Sequence, residues 1–78
     1  MSSLAELKPG QTGVVEKFND EYISLKLLEM GVLPGTEVTM KFAAPLGDPI
    51  CIRVSGYDLS LRLDEAQSIS LIETSTHE

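Results

Sequence analysis

The sequence predicts a small, mainly β domain: five short antiparallel strands closing into a barrel, one α-helix inserted after the first strand, and a short N-terminal helical turn. Three observations predict it. Apolar and polar residues alternate along 37–42 and again through 50–61, the period of strands with one buried face. Pairs such as Pro9-Gly10 and Pro34-Gly35 break the chain into short pieces. In a chain of 78 residues, closure of the sheet removes the unpaired edges that an open five-stranded sheet would expose.

The elements follow in order. Ser2 to Leu7 reads as one helical turn, which Pro9-Gly10 stops. In "GQTGVVEKF", Val14, Val15 and Phe18 mark the first strand. "NDEYISLKLLEMG" is the helix: Asn19 or Asp20 caps its start, Asp20 and Glu21 complement the positive end of its dipole, and Gly31 stands at C′. Ile23, Leu27 and Met30 form its buried stripe, while Leu25 and Leu28 point the other way. Pro34-Gly35 then turns the chain into "TEVTMKF", whose Val38, Met40 and Phe42 alternate against Glu37, Thr39 and Lys41.

The third and fourth strands flank Ser55-Gly56. If these two residues form the hairpin turn, Val54 faces Tyr57, Arg53 faces Asp58, Ile52 faces Leu59, Cys51 faces Ser60 and Ile50 faces Leu61. A slip of one residue would bury Arg53 and Cys51 and expose the isoleucines, so the pattern selects this register. The expected core is Val38, Met40, Ile52, Val54, Leu59 and Leu61. "LDEA", with Asp64 and Glu65, reads as a one-turn connection, Asp48 as a turn residue, and "QSISLI" as the fifth strand. Residues 1–73 are expected to form one domain, with 74–78 a polar, frayed tail. A small SH3-like barrel fits this order of elements best. The five-stranded OB-fold, the runner-up, places its helix between the third and fourth strands.

Composition narrows the function. Twelve acidic against six basic residues give a net charge of −6, which opposes the phosphate neutralisation behind nucleic-acid affinity, so nucleic acid is not an expected partner. A chain this short has no core to spare for a cofactor cavity, and activity belongs on its surface or loops. No basic segment followed by an apolar one opens the sequence, no apolar run is long enough for a membrane helix, and Cys51 has no cysteine partner. A reducing, cytoplasmic setting is the expectation. The glycines make no phosphate-binding motif, no carboxylate pair is set by spacing, and Cys51 and His77 are too scattered for a metal site. Catalysis, a cofactor and a private metal site are all disfavoured.

Several phrases occur in a fixed order: "LKPGQTGVV", "LKLLEMGVLPGTEV", "APLGDPICIRVSGYDLSLRLDEA" and "SISL". Together they resemble the FeoA family, small cytosolic components of bacterial ferrous-iron transport, over roughly Leu4 to Ile72; "APLGDPI" followed by "GYDLSLR" is the specific part. The resemblance implies an SH3-like barrel. It also implies a non-enzymatic accessory or regulatory role in Fe(II) uptake, through association with the membrane transporter FeoB at its cytosolic GTP-binding region. The chain would then be recruited to the inner face of the membrane only through that transporter. An iron chaperone or sensor with transition-metal binding is the alternative, and self-association stays open. Lys26 departs from the family, which commonly carries Arg ahead of the paired leucines. Lysine keeps the charge without the planar bidentate fork, which weakens any arginine-finger account.

The candidate partner-binding residues are Leu46, Leu25, Lys26, Leu28 and Glu29. Leu46 sits in a loop stiffened by Pro45 and Pro49, and either folds back over the barrel or serves as a preorganised anchor. Leu25 and Leu28 either receive the N-terminal segment through Leu4 and Leu7 or form a contact patch with Lys26 and Glu29.

Overall fold

The computed structural model describes residues 2–73. The expected tail, 74–78, lies outside the described residues, and His77 with it. Six strands form one antiparallel sheet: β1 (Ser2–Ser3), β2 (Thr12–Phe18), β3 (Glu37–Ala43), β4 (Ile50–Val54), β5 (Tyr57–Leu61) and β6 (Ile69–Glu73). Their order is β1-β6-β2-β3-β4-β5. A 3-10 turn covers Leu4–Glu6, α1 runs Glu21–Glu29 between β2 and β3, and α2 runs Leu63–Gln67 between β5 and β6.

The expected closed barrel is corrected: β1 and β5 lie at opposite ends of the sheet order and do not pair. The reason is local. The expected N-terminal helical turn forms only at Leu4–Glu6, as a 3-10 turn; Ser2 and Ser3 ahead of it make a two-residue strand instead, pairing Ser2 with Leu71 and Ser3 with Ser70. No first strand is left long enough to zip onto β5. Leu4 and Leu7 from the N-terminal segment, Ile23 and Leu27 from α1, and Ala66 from α2 share one buried cluster with the strands.

The β4–β5 hairpin forms in the register that its alternation selects, from Ile50 opposite Leu61 to Val54 opposite Tyr57. Ser55 and Gly56 both adopt positive φ (49° and 86°), as a two-residue hairpin turn requires for strands of this twist. Arg53 Nε lies 3.3 Å from Asp58 Oδ1. Val38, Met40, Ile52, Val54 and Leu61 are buried as expected, and Leu59 is partly buried against them.

Phe42 departs from its expected inward position. The β3–β4 register shifts between Met40, opposite Ile52, and Phe42, opposite Cys51. This bulge at Lys41 adds one residue to β3, and a period of two then turns Phe42 to the outer face, where it is 56% exposed. The second helix is the other element that the strand-and-turn pattern did not provide. Residues 63–66, expected as a connection, continue to Gln67 as α2, whose Ala66 is buried.

Helix α1 starts and ends as its sequence implies. The Asp20 carboxylate accepts the N–H groups of Tyr22 and Ile23 at 2.8 and 3.2 Å, so the side chain satisfies donors that the first turn leaves open. Met30 is the C-cap, and Gly31 follows with φ +86°, a conformation that a side chain would strain. The Tyr57 hydroxyl donates to the Met30 carbonyl, pinning this end of α1 to the start of β5.

Candidate functional site

Two exposed features stand out, and α2 lies between them. The first is the β3–β4 loop. The Gly47 N–H donates to the Ala44 carbonyl at 2.7 Å, and the Ala44 N–H to the Pro49 carbonyl at 2.9 Å. These bonds close a tight turn with Pro45 and Leu46 at its centre, Pro45 occupying the position whose φ proline presets. Leu46 is 95% exposed at the tip. That exposure overturns the alternative in which it folds back over the sheet.

The second feature is the outer face of α1. Burying Ile23 and Leu27 leaves Tyr22, Leu25 and Leu28 on the solvent side, with Tyr22 71% and Leu25 63% exposed, and Glu29 exposed beside them. Leu25 and Leu28 do not receive the N-terminal segment. Leu4 and Leu7 enter the core, and the 3-10 turn packs on α2 and β6.

The first turn of α2 ties the two features together. Asp48, at the end of the loop, accepts the Leu63 N–H through Oδ1 at 2.9 Å. Glu65 accepts the Arg62 N–H through Oε1 at 2.9 Å and receives the Lys26 ammonium from α1 on Oε2. The hydrogen bond from Lys26, reinforced by the Arg62 N–H, holds the Glu65 carboxyl below its usual range. The same hydrogen bond raises Lys26. Lys26 is thus turned sideways into an ion pair, off the apolar face that its helix displays.

Among the described residues, no group of three or more His, Cys, Asp or Glu side chains is placed to hold a metal ion. Cys51 is a free thiol of intermediate exposure on β4, opposite Ser60. No helix of the described residues is long and apolar enough to cross a membrane. What the surface offers is apolar contact area flanked by carboxylates.

Residues 2–72 match the family model of the FeoA domain. The chain belongs to the FeoA family. It is 35% identical over 69 residues to the Fe(2+) transport protein A/Fe(2+) transporter FeoB fusion protein of Porphyromonas gingivalis, a match covering 87% of this chain and 8% of that protein. The chain therefore spans a small fraction of that relative's length. Among solved structures, the FeoA-like protein from Clostridium acetobutylicum superposes with a TM-score of 0.91 at 35% identity, over 99% of this chain and 91% of that one. The FeoA of Stenotrophomonas maltophilia, solved with zinc and described as a prokaryotic SH3 domain protein, gives 0.80 at 30% identity, over 92% and 91% of the two chains. The FeoA family is associated with ferrous-iron transport, and the SH3-like description of that relative agrees with the strand-rich fold seen here.

Within this FeoA fold, Leu25, Leu28 and Glu29 share one helix surface, Lys26 is drawn off it by Glu65, and Leu46 stands on a separate loop. Sequence reasoning passed over three residues here. Tyr22 is at i−3 from Leu25, a spacing that could have revealed it. Phe42 was hidden because a bulge leaves no mark in an alternating pattern. The reach of Asp48 to Leu63 joins residues 15 apart, and no local signal announces it.

Proposed function

We propose that this chain is a non-enzymatic accessory protein of ferrous-iron uptake that docks on the cytosolic GTP-binding region of a FeoB-like transporter and regulates it. The observation that carries the reading is the Porphyromonas gingivalis relative, named as a fusion of Fe(2+) transport protein A with the transporter FeoB. A covalent link keeps two modules at high effective concentration. Modules held together in this way meet through a contact surface. Leu46 and the α1 residues Leu25, Leu28 and Glu29 supply exposed area for it, and Lys26 steadies α1 against α2. On this reading the chain works in the bacterial cytoplasm and meets the membrane only through the transporter.

Calorimetric titration of the chain against the transporter's cytosolic domain in apo, GDP and GTP-analogue states tests the proposal. Saturable binding that Leu46→Ala or Leu25→Asp weakens is the expected result. Absence of binding in all three states, with both proteins folded, refutes it.

A further inference from the structure

The outer face of α1 combines an apolar ridge with a one-sided charge pattern. Tyr22, Leu25 and Leu28 recur at every third position and are exposed. At a rise of about 1.5 Å per residue they span roughly 9 Å along the axis, a little less than the roughly 10.5 Å between the i and i+7 anchors of a single partner helix. Leu33, four residues past the helix end, is also exposed.

The border of the ridge is acidic. From residue 19 to residue 37 the carboxylates are Asp20, Glu21, Glu29 and Glu37, and the only cation is Lys26. Lys26 is engaged by Glu65, and Asp64 adds a further exposed carboxylate on α2. Glu29 ends α1, where the helix dipole is already negative, and the cation of that last turn, Lys26, is paired with Glu65 instead. An incoming cation at that corner would meet Glu29 and the terminal carbonyls together. An anionic surface would be repelled along the whole border.

We propose that the outer face of α1 seats an amphipathic helix whose apolar anchors pack on Tyr22, Leu25 and Leu28 and whose flanking Lys or Arg residues meet Glu21 and Glu29. This deepens the docking reading above, on which it rests for the source of that helix, by naming the chemistry that the partner must present.

The test uses the full chain and two short amphipathic peptides, one of Leu and Lys and its counterpart of Leu and Glu. The Leu/Lys peptide should bind with an affinity that falls as salt rises, and should shift the amide resonances of Tyr22, Leu25, Leu28 and Glu29. The Leu/Glu peptide should not bind. Glu21→Lys with Glu29→Lys, both exposed and outside the core, should leave the fold intact by circular dichroism and weaken the Leu/Lys peptide at least about tenfold. Equal binding of both peptides, shifts centred away from α1, or self-association of the chain through this face by sedimentation each overturns the inference. The transporter's cytosolic domain separates the two readings. A domain that binds without competing with the Leu/Lys peptide removes this inference and leaves docking intact. A domain that fails to bind, while the peptide still maps to α1, removes the docking reading and leaves the acidic helix face as the supported site.

Discussion

Asp48 Oδ1 accepts the backbone N–H of Leu63 at 2.9 Å, so the loop that displays Leu46 is fastened to the first turn of α2. The bond satisfies a donor at the start of a helix, which the helix itself cannot do. Because Glu65 in the same turn holds Lys26 of α1, a displacement of α2 would disturb both exposed features at once.

Asp48→Ala should therefore cost about 0.5–2 kcal/mol of stability, the usual range for a lost cap. Denaturant unfolding measures the loss. Amide exchange locates it: the Leu63 amide should exchange faster in the variant, and unchanged protection there would show that the bond contributes nothing.

Leu46→Ala removes a side chain that touches little of its own protein, so its melting temperature should stay at the wild-type value. Affinity for the transporter's cytosolic domain should fall by about 1–2 kcal/mol, as for an apolar anchor at a contact. A loss of stability with affinity preserved would reverse the assignment.

The Glu65 carboxyl is held below its ordinary value of about 4.5, chiefly by the hydrogen bond from Lys26. Its contribution to stability is present above that value, where both the folded and unfolded chains are ionised. As pH falls through and below it, the unfolded chain binds the proton first, and the contribution is lost on the way down to the lower folded value. Thermal unfolding from about pH 6 to about pH 3 should show a shallower acid-side decline in Glu65→Gln than in the wild type. Parallel curves would mean that the pair is screened by solvent.

Ile52 is fully buried in β4 between Met40 and Leu59. Truncation to alanine should cost about 2–5 kcal/mol, read by chemical denaturation. A cost below about 0.5 kcal/mol, the scale of a surface substitution, would contradict its place in the core.

How much of this was legible in advance differs by element. The β4–β5 hairpin could be written residue by residue, because two alternating strands and a Ser-Gly turn leave one register that buries every isoleucine and leaves Arg53 opposite Asp58. Helix α1 was legible for a similar reason. Its cap, its buried stripe and its terminal glycine are all local features. Phe42 was not, since whether an extra residue bulges depends on which partner strand it meets. The candidate site was half legible: Leu46 and Leu25 could be picked out as apolar residues in unusual places, but not whether they were exposed.

By itself, then, the sequence determined what depends on neighbours along the chain: strand faces, helix ends, turn types, and, through its ordered phrases, the resemblance to the FeoA family that the family match bears out. Tertiary structure alone decided the rest. It decided that β1 is too short to close the sheet, that α2 forms and gathers Asp48, Lys26 and Glu65 around its first turn, and that Leu25, Leu28 and Leu46 are left uncovered. The physical reason is range. Periodicity and capping act over a few residues, whereas edge pairing, ion pairs between helices and the exposure of an apolar side chain depend on segments that meet only after the chain has folded.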